Sequence, residues 1–309
     1  MQSLSYIENM VFRKLVILLG FLLGWQHVGA QQQPIAEVFC GAELSYADVN
    51  FTRLYNSLIN LTPGAKVHLG HGWDVAAQVY LPIVNEGYAD RYNMVRLNMA
   101  NISKTFRFER AHQYVKVTAG LFGKEQYGGD IRWMWPITSW LLFHARMGLT
   151  DHWALGTNIW EGTAESEFNA RNFSFTGLLG ASVWLRPWAT ELRATGGRYL
   201  NHDYGAEGEI VRHFNHCSIS VFAQYHEYAP SAYIKNGHRY SGGFRIVMML
   251  PPYKKQKNKD VVVRPASNFR LTYNAQADGY SMKKYTTDPE ENERTYPIQI
   301  PWGTGLFNE

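Results

Sequence analysis

The sequence predicts an all-β chain: an antiparallel transmembrane β-barrel of about twelve strands with a periplasmic C-terminal tail. Three observations point there. Segments of about ten residues alternate in polarity, the width a strand needs to cross a bilayer. The front end reads as an export signal with no helical span behind it. Charges of both signs collect on one face of the predicted strands.

The alternation is clearest between Ala189 and Pro251. Thr190, Leu192 and Ala194 oppose Glu191, Arg193 and Thr195; Ala206, Gly208 and Ile210 oppose Glu207 and Glu209. Ile219, Val221 and Ala223 oppose Ser218, Ser220 and Gln224, and Phe244, Ile246 and Met248 oppose Arg245. Successive side chains of a strand point to opposite faces, so each segment has one apolar and one polar face. A soluble sandwich turns the apolar face inward, whereas an outer-membrane barrel turns it toward lipid. Alternation alone does not choose between them.

The front end narrows the choice. Arg13 and Lys14 precede the apolar run 15–23, and Val28–Gly29–Ala30 meets Gln31. That is the order of a secretory signal peptide covering residues 1–30 and cut after Ala30, and the run is shorter than the ~20 residues of a membrane-spanning helix. The ten residues before Val11 do not fit a signal, which points to Met10 as the start. Insertion in a membrane then has to use strands, since only helices and closed barrels satisfy the backbone in lipid. Of the 309 residues, 18% are charged and 15% aromatic, a balance that suits a barrel with aromatic girdles and also a carbohydrate-binding β protein. A net charge of +4 gives no reason to expect nucleic acid. Cys40 and Cys217 follow the export signal and are able to pair in an oxidising compartment.

In chain order, residues 31–50 form a lead-in without clear period, residues 51–251 the barrel and 252–309 the tail. Residues 51–69 hold one or two strands interrupted at Thr62–Pro63–Gly64, and Gly70–His71–Gly72 is a tight turn. Trp73, Val75, Ala77, Val79 and Leu81 then face away from Asp74, Gln78 and Tyr80. After a loop at 85–92, Val95, Leu97 and Met99 oppose Arg96 and Asn98, and Val115, Val117 and Ala119 oppose Lys116 and Thr118. Ile131, Trp133 and Trp135 oppose Asp130 and Arg132 in a strand closed by Pro136. Leu141, Phe143, Ala145 and Met147 oppose His144 and Arg146, and weaker strands follow at 152–161 and 172–184. Loop lengths alternate short and long in the second half, as a barrel requires, but not in the first. The tail carries the basic run Lys254, Lys255, Lys257 and Lys259, then Asp288–Pro289–Glu290–Glu291, and shows no lipid-facing strand.

The polar face gathers Asp74, Arg96, Lys116, Asp130, Arg132, Arg146, Glu191, Arg193, Glu207, Glu209 and Arg245. Mixed charges in mid-strand suit the lining of a narrow lumen, where each finds a partner or water. Trp73, Trp133, Trp135, Trp140, Trp153, Trp184 and Trp188 lie near strand ends, as interfacial rings do.

Reacting groups are hard to find. His68 with His71, and His213 with His216 and Cys217, lack the ligand number and strand parity of a metal site. No G-x-S-x-G occurs, and Ser139 and His144 have opposite strand parity. Glu207 and Glu209 share a face, as glycoside hydrolysis requires, but so do arginines that would pair with them. The N-x-[ST] sequons at Asn50, Asn60, Asn101 and Asn172 carry no meaning in a bacterial barrel. No catalytic residue, metal or cofactor is expected.

Gly197–Arg198–Tyr199–Leu200, then Asp203 and Gly205–Ala206, then Arg212–His213–Phe214, resemble the signature of the YjbH-like family. Gly242–Gly243–Phe244–Arg245–Ile246 is similar to that family's final strand, and Arg264–Pro265, Asp278–Gly279 and Tyr285 to the segment after its barrel. The resemblance covers roughly residues 173–296, about the C-terminal half of such proteins, and is only general before that. It implies an outer-membrane β-barrel that assists export or assembly of an exopolysaccharide or capsule. It further implies a polysaccharide export lipoprotein or small periplasmic partners, with the chain working alone, as a dimer or with a companion barrel. The alternatives are a general porin, an outer-membrane enzyme, and a secreted carbohydrate-binding β protein.

Overall fold

The computed structural model describes residues 36–47, 56–153, 173–227, 239–253, 256–257, 260–264, 266–275, 281–289, 291 and 302. The signal segment 1–30, the sequons at Asn50 and Asn172, Lys254, Lys255 and Lys259 lie outside them. The described chain is all-β apart from three single turns of 3-10 helix, and its strands form one sheet. Its members are β1 (Ala36–Ala47), β2 (Asn56–Gly70), β3 (Trp73–Glu86), β4 (Arg96–Phe108), β5 (Gln113–Phe122), β6 (Gln126–Pro136) and β7 (Leu141–His152). There follow β8 (Ser174–Leu185), β9 (Thr190–Arg198), β10 (Tyr204–His213), β11 (Cys217–His226), β12 (Tyr240–Leu250), the short β13 (Gln256–Lys257) and β14 (Val261–Val263), and β15 (Ala266–Ala275).

From β1 to β12 each strand pairs antiparallel with the next, and β15 pairs with β12. β14 runs parallel to the first three residues of β1. Among the described residues no backbone ladder joins β1 to β15, although their Cα atoms come within 8 Å of each other. The sheet is therefore open in its hydrogen bonding along that one seam.

Two long strands, and the short β13 and β14, lie where the sequence shows none. β1 falls in the expected lead-in, and β15 in the expected tail. The sheet thus has thirteen long strands rather than about twelve. Neither end strand reads cleanly from sequence. In β1 both faces carry small or partly covered residues, such as Gly41 and Ala42 beside Glu43 and Leu44. β2 also runs unbroken through Pro63, which lacks an N–H for the ladder. Pro63 still pairs in register with Cys40 of β1, while the β2–β3 ladder skips Thr62 and Pro63 and resumes at Gly64 in the same register. There the Gln78 amide donates to the Thr62 carbonyl at 3.3 Å in place of a backbone group. A third correction concerns Met99. A bulge between β3 and β4 at Asn98 turns Met99 to the buried face, so both residues are buried where opposite faces are expected.

Five of the six connections at one end of the sheet are tight, residues 71–72, 109–112, 137–140, 186–189 and 214–216, and the sixth, 251–265, carries β13 and β14. At the other end lie 123–125 and 199–203, together with the longer 48–55, 87–95, 153–173 and 227–239. β1 starts at the tight-turn end, and β15 runs away from it. The expected tail then turns back along the sheet. Ser281 Oγ donates to the Glu227 carbonyl at the long-loop end at 3.1 Å, while Trp302 packs with Met134, Leu142 and Trp184 near the tight turns. Trp184 is therefore not an interfacial ring but part of a buried cluster sealed by Trp302. Trp302→Ala is expected to destabilise the fold by about 3–5 kcal/mol, the usual cost of removing a buried Trp, read from urea unfolding of the refolded protein.

Candidate functional site

Adjacent residues differ sharply in exposure across the sheet. Asp130 is 1% exposed and its neighbour Ile131 39%; Glu191 is 1% and Leu192 38%. One face carries cross-strand rows such as Leu192–Ile210–Val221–Phe244–Tyr273, all substantially exposed. The other buries ionised and polar side chains. Of the residues expected on the polar face, Lys116, Asp130, Arg132, Arg146, Glu191, Glu207 and Glu209 are buried, and Asp74, Arg193 and Arg245 nearly so.

The register explains what this face has to solve. Lys116 lies opposite Arg132, and Arg132 opposite Arg146, so three cations stand side by side on β5, β6 and β7. Like charges directly opposite on a sheet repel. One wall carboxylate, Asp130, offsets this: Arg132 Nε donates to it at 3.0 Å and Arg146 Nε at 2.6 Å. The remaining anions come from the chain's own segment 281–291. Asp288 accepts from Lys116 at 3.3 Å and from Lys66 at 3.4 Å, and Glu291 from Arg132 at 2.7 Å. Arg146 lies 3.6 Å from Glu291 and donates to the Tyr285 carbonyl at 2.9 Å. The Tyr285 hydroxyl donates to Asp130 at 2.8 Å, and its ring stacks on Phe122.

A second network covers β9 to β12. Arg193 chelates Glu191, and His213 lies 3.2 Å from the same carboxylate. Arg245 donates to Glu209 at 2.7 Å and to Glu207 at 2.6 Å, with Lys284 of the segment 3.5 Å from Glu207. The two glutamates that suggested a glycosidase pair are thus held in ion pairs. The segment complements both networks in sign: Lys284 meets a glutamate, and Asp288 and Glu291 meet the cations. Asp74 pairs with His68 at 2.5 Å, at the tight-turn end. Arg96 belongs to neither network; its guanidinium packs over the rings of Tyr80 and Tyr92.

The motif residues hold the start of the segment. Asp203 accepts from the Met282 N–H at 2.5 Å, and the Leu200 N–H donates to the Lys283 carbonyl at 3.1 Å. Gly205 lies against Met282, and Lys284 Nζ sits over the ring of the buried Tyr199. Gly197 has φ +146°, and an added Cβ would meet the Gly177 carbonyl at 2.1 Å, so only glycine suits this crossing of β8 and β9. Arg212 and Phe214 lie on the exposed side, in contact with each other and away from the segment. Polar wall groups hold the rest. Asn101 donates to the Thr287 carbonyl, Gln78 to that of Pro289, and Gly123 N–H to that of Thr286. Sequence reading missed the whole segment as a site. The one signal for it was the excess of cations on β5–β7.

Among the described residues no group of His, Cys, Asp and Glu is arranged to hold a metal ion. Cys40 and Cys217 are free thiols. The arrangement is therefore that of a wall of paired ions filled by the chain's own C-terminal segment. Comparison with protein families, curated proteins and solved structures gives no match for this chain.

Burial by itself would raise the Asp288 carboxyl, but the Lys66 and Lys116 ammonium groups hold it well below the usual range. Burial opposes ionisation of Glu291 in the same way, and Arg132 and Arg146 lower its pKa. Both carboxyls bind protons more weakly docked than free. Their contribution to docking is complete above the ordinary carboxylate pKa of about 4 and is lost as pH falls toward the lowered values. Protection of residues 281–291 from proteolysis should be the same at about pH 7 and about pH 5, and should decline only below about pH 4. Gly197→Ala should destabilise the protein by about 1–3 kcal/mol in urea unfolding, from the strained φ and the displaced Gly177 carbonyl.

Proposed function

We propose that the sheet closes along the β1–β15 seam into an outer-membrane β-barrel that assists export or assembly of an exopolysaccharide or capsule. The observation that carries the membrane reading is the inversion of the two faces. Leu179 is 62% exposed and Val221 54%, while Lys116 is 2% and Asp130 1%. A soluble sheet would bury the former and expose the latter; a lipid-facing barrel does the reverse. The clustering of tight turns where β1 begins fits a periplasmic end. Trp140 and Trp188, exposed in those turns, fit an interfacial girdle.

The polysaccharide reading rests on the family resemblance, and the residues that carry it gain a physical role here. Gly197, Tyr199, Leu200, Asp203 and Gly205 frame the entry of the segment into the ionic interior. Partners of the class the resemblance implies would be a polysaccharide export lipoprotein, small periplasmic proteins or a companion barrel. An open porin fits less well, because residues 281–289 and Glu291 lie along the charged face and Trp302 packs near the tight turns.

Membrane fractionation should recover the protein in the outer membrane in a heat-modifiable form; recovery as a soluble periplasmic or secreted protein would overturn the barrel. Val221→Arg, near the middle of β11, should cost about 2–4 kcal/mol in lipid bilayers, against little for Val221→Leu. Deleting the gene should reduce surface polysaccharide on staining, and unchanged staining would remove the export role.

A further inference from the structure

The row Lys66, Lys116, Arg132 and Arg146 is built as an anion site, and its present occupant is part of the chain. Four cations converge on two carboxylates, at 3.4, 3.3, 2.7 and 3.6 Å. Those carboxylates stand on one tight turn. The Glu291 N–H donates to the Asp288 carbonyl at 3.2 Å, and the Thr287 N–H to the Glu291 carboxylate at 3.0 Å. Among the described residues, Asp130 is the carboxylate that pairs with Arg132 and Arg146 apart from the turn, and Lys116 stands opposite Arg132, like charge beside like. Such a row requires anions, but nothing in its geometry requires them to be covalently attached.

The way the segment is held supports exchange. It is bound chiefly by ion pairs and by wall side chains donating to its carbonyls, from Asn101, Gln78 and Arg146. Another polar, anionic chain can make the same contacts. Tyr285 stacks on the otherwise buried Phe122 ring at 5.5 Å with 10° between planes, so its departure would bare a flat apolar platform beside the cations. Cations flanking an aromatic face suit an acidic sugar better than a bare inorganic anion.

We propose that this cationic row is a binding site for the carboxylates of an acidic glycan, and that the Asp288–Glu291 turn is a tethered occupant that such a glycan displaces. The glycan class rests on the polysaccharide reading above, while the site itself rests on the ion geometry.

The test uses the full-length protein in detergent and a short oligogalacturonate as probe. Asp288→Asn/Glu291→Gln should bind it at least about tenfold more tightly than the unsubstituted protein, weakening as salt rises. Adding Lys116→Gln and Arg132→Gln should abolish the gain. Affinity of the double variant no higher than that of the parent overturns the proposal. Should the double variant fail to fold, limited proteolysis of the unsubstituted protein decides. Oligogalacturonate should speed cleavage within residues 281–302, with dextran and inorganic phosphate leaving it unchanged. No acceleration by oligogalacturonate, or equal acceleration by either control, overturns the proposal. Normal surface polysaccharide in a deletion strain would remove the export role and leave this binding result standing.

Discussion

Asp130 is the joint between wall and contents. Its carboxylate takes Arg132 and Arg146 from its own and the next strand, and the Tyr285 hydroxyl from the segment between them. With one anion it begins to neutralise a row of three cations that the strand register forces together, and it leaves room for two more anions. Asp288 and Glu291 supply them. Burying so many ions costs desolvation, and such networks add little net stability over an apolar filling. What they do add is selectivity of position.

The two faces follow from one period-two pattern read with opposite solvents. Where Leu192, Ile210 and Val221 point one way, Glu191, Val211 and Ser220 point the other. The buried side is not wholly ionic. Met134, Leu142, Trp184 and Trp302 close it near the tight turns, and Phe122 with Tyr285 divides it farther along. The buried face thus alternates apolar clusters with ionic networks.

Much of this was legible in the sequence. The strands from β9 to β12 read directly, because each sets charges against aliphatic residues without interruption. Lys116, Asp130, Arg132 and Arg146 share one face of their strands by the same alternation, and all four are buried. The failures have particular causes. Asn98 and Met99 defeated parity because a bulge adds one residue, and Pro63 suggested a break where only one ladder lapses. Trp184 sits near a strand end, as an interfacial residue would, but its burial depends on Trp302, more than a hundred positions away. The segment 281–291 has no periodicity because it belongs to no ladder. Its fit is chemical, residue against residue, and that shows only once the wall's register is known.

The return of the segment along the sheet also constrains the order of assembly. Its partners come from β2, β3, β4, β5, β6, β7 and β10, so they stand together only after most of the sheet has formed. β15 must also be in place to deliver it to the long-loop end. Docking is therefore a late step that reports on the completeness of everything before it. A sheet with one strand misregistered would present the cations in the wrong pattern and leave the C-terminal stretch open to proteases, so the same contacts that fill the interior serve as proofreading of the wall.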